Sequence, residues 1–327
     1  MTKIAILNDY ANAALTLADW ASVKEKADIC VFDRHLSDDE MVAVLQPFEV
    51  ICTLRERIKL TKATFDQLPN LKAIVVTDTH VRTIDYGAAL ARGIKVLEAR
   101  APADMPSAPS STSEFVWGLI LATLRHIPQE ASRLRNNRWQ STLGQPLAGK
   151  TIGLVGLGKI GSKIAQYART FDMSVIAWSQ NLTAEAAERA GAKRVEKETL
   201  FREADLVSVH YVLSERSRGL VGASELALMK PTAYFFNTSR GPIVDENALV
   251  SVLKDSKIAG AGLDVFDQEP LPLDHPFAKL GNIVATPHLG FVTEPTMRRF
   301  YVGTVLAVGA YLRGEDTPIL SREQLPH

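Results

Sequence analysis

The stretch Thr151–Gly161 (TIGLVGLGKIG) sets the tightest limit on what this chain can fold into. An apolar, strand-like run leads straight into Gly156-x-Gly158-x-x-Gly161, and a helical pattern continues from Lys159 to Thr170. Glycines at this spacing meet three steric demands. Gly156 allows a tight turn, Gly158 lets the backbone approach a phosphate, and Gly161 lets the helix press closely on the strand. The N-terminus of a helix carries unbonded N–H groups and partial positive charge, so the turn is a seat for a pyrophosphate. Without its flanks the glycine pattern is a weak signal. With strand before and helix after, it predicts a doubly wound α/β domain holding a dinucleotide at Gly156, Gly158, Lys159, Ile160 and Gly161.

The rest of the chain alternates in the same way. Strands are expected at Lys3–Leu7, Ile29–Phe32, Val50–Cys52, Leu71–Val76 and Lys95–Leu97, with helices near Asp38–Leu45, Lys62–Leu68 and Ile84–Arg92. The Pro- and Ser-rich stretch Ala101–Ser111 reads as a crossing between domains. An apolar helix over Ser113–Arg125 follows, with a capping box at Ser111–Glu114; its pattern fits a core helix as well as one packed between domains or on a second subunit. Strands then recur at Thr151–Val155, Ser174–Trp178, Leu206–Val209, Ala233–Asn237, Ala259–Leu263 and Ile283–Ala285. Helices are expected at Lys159–Thr170, Ala184–Ala190 and Glu246–Lys254, and a last one over Thr293–Leu312. The length, 327 residues, suits two domains.

Composition excludes several classes. Lys+Arg and Asp+Glu both total 37, so nothing in the charge balance suggests a basic surface for a nucleic acid, although it leaves room for a local charged pocket. No apolar run is long enough to predict a membrane span. The opening MTKIAILNDY lacks the apolar core of a secretory signal, so a cytoplasmic location is expected. Cys30 and Cys52 both lie in apolar stretches and read as buried, reduced thiols rather than a disulfide or metal pair, and no metal site is expected.

Three motifs follow the glycine turn in order: Asn237-Thr238-Ser239-Arg240-Gly241, then Gly262-Leu263-Asp264-Val265-Phe266 running to Glu269-Pro270, then Thr286-Pro287-His288-Leu289-Gly290. The ordered series resembles the D-isomer-specific 2-hydroxyacid dehydrogenases, a family that includes D-lactate, glyoxylate/hydroxypyruvate and 3-phosphoglycerate enzymes. The resemblance covers nearly the whole chain and is strongest from Leu147 to Gly290. It implies a Rossmann cofactor domain (residues 104–293) inserted into a flavodoxin-like substrate domain (residues 1–103 plus 294–327), with the active site in the cleft and hinges near Ala103 and Phe291–Glu294. No appended effector domain of the longer phosphoglycerate dehydrogenases is expected.

The resemblance also implies roles. Arg240 binds the substrate carboxylate, His288 gives and takes the proton, Glu269 pairs with His288, Thr238 lies at the cofactor, and Asp264 approaches its nicotinamide end. These residue types suit the chemistry. Histidine titrates near working pH, a neighbouring carboxylate fixes its tautomer, and an arginine fork matches a carboxylate. The same resemblance puts His210 near the cofactor without a catalytic role, and offers Arg55, Thr79 and His80 as substrate contacts, with Arg55 equally readable as part of a solvated charge cluster. Asp78, Thr79 and His80 replace small residues usual in the substrate loop.

The expected cofactor is NAD or NADP. An acid is usual about 20 residues past the glycines, where it bonds the ribose hydroxyls. Ser179 stands there, followed by Gln180 and Asn181, which leans toward NADP(H), although no arginine follows at once. The expected protein is a homodimeric oxidoreductase acting on a small 2-keto or 2-hydroxy acid. A nicotinamide-sensing interaction protein of the corepressor kind is the alternative.

Overall fold

The computed structural model describes residues 1–77, 81–107 and 109–315. The chain divides into two compact units, Met1–Ala108 with Thr293–His327, and Pro109–Val292. The second is inserted into the first.

The first unit holds a parallel sheet of β1 (Thr2–Ile6), β2 (Ala27–Val31), β3 (Val50–Cys52), β4 (Ala73–Val76) and β5 (Lys95–Glu98) in the order β2-β1-β3-β4-β5. This is the flavodoxin-like order. The inner strands β3 and β4 are buried along their whole length, as expected of a parallel sheet covered on both faces. β2 lies at the edge, and Asp28 and Cys30 face outward from it. Cys30 is therefore exposed, not buried as its apolar neighbours suggest; Cys52 is buried, and burial pushes its thiol pKa up. The helix Glu294–Arg313 completes this unit. Its Gly303 comes so close to Ala99 that a β-carbon would meet backbone at 2.6 Å. Its buried Tyr301 donates to Asp9, 2.8 Å away.

The second unit contains β6 (Thr151–Val155), β7 (Ser174–Trp178), β8 (Lys193–Arg194), β9 (Leu206–Val209), β10 (Tyr234–Asn237), β11 (Gly260–Leu263) and β12 (Ile283–Ala285). All are parallel, in the order β12-β11-β10-β9-β6-β7-β8. This is a Rossmann sheet with one further strand, and its order reverses between β6 and β9. Alternate side chains feed separate cores on its two faces. Phe235 joins one with Leu200, Phe201 and Leu249, while Phe236 joins the other with Val116, Ile120 and Ile164.

The apolar helix occupies Ser111–Leu124 and packs as a core helix of this unit. The expected capping box is absent. Ser110 is the N-cap and makes no side-chain cap bond, while Ser111 is buried in the first turn. The helix Lys159–Thr170 buries Gly161, Ile164, Ala165 and Ala168, the spacing of an amphipathic helix on a sheet.

Candidate active site

The three strands β10, β11 and β12 are neighbours, and each releases one reactive side chain just past its carboxyl end. Arg240 lies three residues beyond β10, Glu269 six beyond β11 and His288 three beyond β12. Ligands bind at this edge of open α/β sheets, because the loops there are free to carry function while the strands hold them still.

The loops are locked to one another. Gly241 follows Arg240, and a β-carbon on it would meet the Phe266 carbonyl carbon at 2.1 Å. Only glycine permits that approach, which fixes the arginine turn against the loop leading to Glu269. Asn237, nearly fully buried, closes the arginine turn: its Nδ2 donates to the Arg240 carbonyl (3.0 Å) and its Oδ1 accepts from Ser239 N (3.0 Å). Ser239 Oγ in turn donates to Val209 O at the end of β9 (2.8 Å).

Glu269 and His288 form the central pair. Glu269 Oε2 lies 2.6 Å from His288 Nδ1, and Glu269 Oε1 accepts from Phe266 N at 3.0 Å. With Nδ1 turned to the carboxylate, Nε2 is the nitrogen left to exchange a proton with a ligand. His288 holds a left-handed backbone (φ 53°), sparsely populated for residues other than glycine, so its loop is actively held in place. Asp264 does much of the holding. The carboxylate is buried and accepts from Thr286 Oγ1 (2.7 Å), Leu289 N (2.8 Å) and Gly290 N (2.9 Å). Burial pushes the Asp264 pKa up, against the opposing pull of those three donors and of His288.

A further lock was invisible in the sequence. Glu246 Oε2 accepts from Asp267 N (3.0 Å), while Glu246 Oε1 meets His275 Nε2 (3.0 Å). A second carboxylate–histidine pair thus steadies the loop that carries Glu269. These partners stand about twenty to thirty residues apart, and only the sheet topology brings them together.

At the reversal point of the sheet, the glycine turn has the shape a pyrophosphate needs. A β-carbon on Gly156 (φ 100°) would strike the His210 carbonyl oxygen at 2.4 Å, and one on Gly161 would strike the Gly156 oxygen at 2.2 Å. Around Gly158 there is open space instead, and as N-cap of the helix Lys159–Thr170 it has no capping side chain. The first N–H groups of that helix are thus presented to an anion. Lys159 is exposed and Ile160 half-buried beside them. His210, at the end of β9, bonds Ser208 Oγ through Nε2 (3.0 Å), and its buried Nδ1 has no partner. Burial drives its pKa down to about 4, so it is neutral.

Residues 117–290 match the sequence profile of the D-isomer specific 2-hydroxyacid dehydrogenase NAD-binding domain. The glyoxylate reductase of Thermococcus litoralis is 37% identical over 271 residues, which cover 80% of each chain. The chain belongs to the D-isomer specific 2-hydroxyacid dehydrogenase family. A D-3-phosphoglycerate dehydrogenase of Methanocaldococcus jannaschii is 35% identical over 96% of this chain, which spans only 58% of that relative's length. A crystal structure described as a putative D-3-phosphoglycerate dehydrogenase from Ralstonia solanacearum superposes with a TM-score of 0.87 at 31% identity, covering 100% of this chain and 99% of the other. This is a family of nicotinamide-dependent oxidoreductases, and these matches lend nothing to the scaffold alternative. The residues that match the NAD-binding domain all lie within the unit Pro109–Val292.

In this family member the remaining candidate residues are placed as follows. Thr238 is nearly buried next to Asn237, and Ser179 is half-buried just past β7. Asp264, expected at the nicotinamide end, spends its carboxylate on the loop after β12. Arg55 belongs to the other unit, beyond the end of its central strand β3, where its N–H donates to Thr77 Oγ1 (2.9 Å) and its φ is 50°. Thr79 and His80, with Asp78, lie outside the described residues. Among the described residues no helix is long and apolar enough to cross a membrane, and no group of His, Cys, Asp or Glu gathers as for a metal ion.

Proposed function

We propose that this chain interconverts small 2-keto acids and D-2-hydroxy acids, with Arg240, Glu269 and His288 acting at the reacting centre. The observation carrying this is the 2.6 Å Glu269–His288 pair on a loop beside the arginine turn, at the carboxyl edge of a dinucleotide-binding sheet. The nicotinamide, when bound, supplies or accepts the hydride at C2 of the acid.

The protein's own residues do the rest. Arg240 grips the substrate carboxylate and draws electron density toward the keto oxygen. During reduction the carbonyl π electrons move onto that oxygen, which takes the proton from His288 Nε2. Positive charge leaves the ring as its Nδ1–H stays bonded to Glu269, so the carboxylate stabilises the imidazolium that begins the step and fixes the tautomer that ends it. Oxidation runs the same transfers backward. Asp264 positions the His288 loop. Arg55 is the candidate contact for a further anionic group on the substrate.

Relatives of the chain carry glyoxylate, hydroxypyruvate or phosphoglycerate in their names. Glyoxylate and hydroxypyruvate are accordingly the first acids to try. We place the protein in the cytoplasm, where an exposed unpaired thiol such as Cys30 survives. We also expect a homodimer. The segment following the Ser111–Leu124 helix exposes Ile127, Leu134, Trp139 (77%) and Leu143 (89%), apolar side chains that a second subunit would cover.

The test is oxidation of NADH and of NADPH by the purified protein with glyoxylate, hydroxypyruvate, pyruvate, phenylpyruvate and 2-ketoisocaproate. Saturable turnover with at least one acid is expected. Dinucleotide binding without turnover on any of them would overturn the proposed reaction.

A further inference from the structure

Beyond the glycine turn, β8 is only two residues long. It pairs in parallel with β7 so that Arg194 lies opposite Ala177, one residue before β7 ends at Trp178. Parallel neighbours end at the same edge of a sheet, so Arg194 stands beside the turn that follows β7. Its side chain reaches that turn: Nε donates to Leu182 O at 3.0 Å, and Leu182 N donates to Ser179 O at 3.0 Å. The guanidinium is therefore tied to the closing residue of the turn that Ser179 begins.

In a Rossmann sheet this is where the adenosine ribose is read. An acid there bonds the ribose hydroxyls, whereas an arginine nearby accommodates a 2′-phosphate. The turn Ser179-Gln180-Asn181-Leu182 carries no acid. It is also firmly built. Gln180 N donates to Tyr211 OH (3.3 Å), Tyr211 stacks on Trp178 (19° between planes), and Lys197 Nζ lies 5.8 Å from the Trp178 ring centre while bound to Glu225 at 2.8 Å. Apart from Leu182 O, Arg194 is bonded to Glu196 (2.9 Å), whose side chain is 65% exposed. A solvated ion pair of that kind is weak. A phosphate carries more charge and matches the guanidinium fork, so it displaces the glutamate.

We propose that the chain selects NADP(H) over NAD(H), with Arg194 reading the 2′-phosphate and Ser179 donating a second hydrogen bond to it. The proposal rests on the nicotinamide-binding domain described above. The residue missing from the sequence after β7 is supplied instead from the neighbouring strand.

The test is binding without substrate, read as quenching of protein fluorescence by NADPH and by NADH. A charge-assisted bond to phosphate predicts NADPH binding about tenfold or more tighter. Arg194→Gln should bring the two constants within about twofold, and Arg194→Lys should retain part of the preference, since charge remains but the fork is lost. Ser179→Asp should invert the preference, because its carboxylate repels the phosphate and bonds the ribose. Added salt should weaken NADPH more than NADH. Equal affinities in the unaltered protein, or a preference that survives Arg194→Gln, would overturn the proposal while leaving the dehydrogenase reading intact. Failure to bind either dinucleotide would overturn both.

Discussion

One sheet edge carries two kinds of recognition. Past β10, β11 and β12 it is made of side chains that hold one another: Asn237 closes the arginine turn, Asp264 grips the His288 loop, and Glu269 bonds His288. Past β6 it is made of missing side chains, where Gly156 and Gly161 clear space and a helix N-terminus supplies the polar groups. The difference follows from the task. A pyrophosphate is the same in every dinucleotide and needs only backbone N–H groups at close range. Proton transfer to a keto oxygen needs a titratable atom held in a narrow geometry, which backbone cannot provide.

The comparison can be broken at either end. His288→Ala should lower turnover by about 10²–10⁴-fold, while dinucleotide affinity, measured by fluorescence quenching, shifts little. An equal loss of both would mean that the two regions are one. Gly161→Ala should do the reverse in kind. With its new β-carbon 2.2 Å from the Gly156 oxygen, the turn must open. A loss of dinucleotide affinity by about tenfold or more is expected, of the order of one strong polar contact. Retained affinity would show that the turn does not seat the cofactor.

Smaller effects sharpen the picture. Glu246→Gln removes the charge that steadies Asp267 N and His275 and should cut kcat by about three- to tenfold, roughly the worth of one hydrogen bond, with KM nearly unchanged. A change confined to KM would place Glu246 in substrate binding instead. The mildest effect is on stability. His210 titrates at about 4 when folded, against 6.5 for an unperturbed ring, so the unfolded chain binds the extra proton between those values. Stability should fall as pH drops from about 6.5 toward 4, and urea midpoints for His210→Asn should lose part of that slope. An identical slope in the variant would assign the acid sensitivity to other groups.

These regions were unequally legible in the sequence. The glycine turn is a local backbone constraint and is readable in Thr151–Gly161 alone. Strand cores such as Val50–Cys52 and Leu206–Val209 were also plain, because parallel strands buried on both faces are continuous apolar runs. Arg240, Glu269 and His288 are proposed from their order along the chain, and the closeness of Glu269 to His288 appears only in the fold. Hidden from the sequence were features that depend on which strands become neighbours. Arg194 sits on a two-residue strand too short to show a period, Glu246 meets Asp267 only after β11 is laid beside β10, and Cys30 looks buried until β2 is known to be an edge. The Ser111–Glu114 capping signature misled because a serine inside the first turn looks like one before it.

The contact between Gly241 and Phe266 bears on how such an enzyme can diversify. No side chain fits between the two loops, so the arginine cannot be shifted without dragging the glutamate along. Mutational drift or laboratory selection for a new acid would find this edge nearly immovable and would accumulate its changes in segments that do not share that backbone seam. The seam works as a fixed jig, and variety among descendants would be built around it.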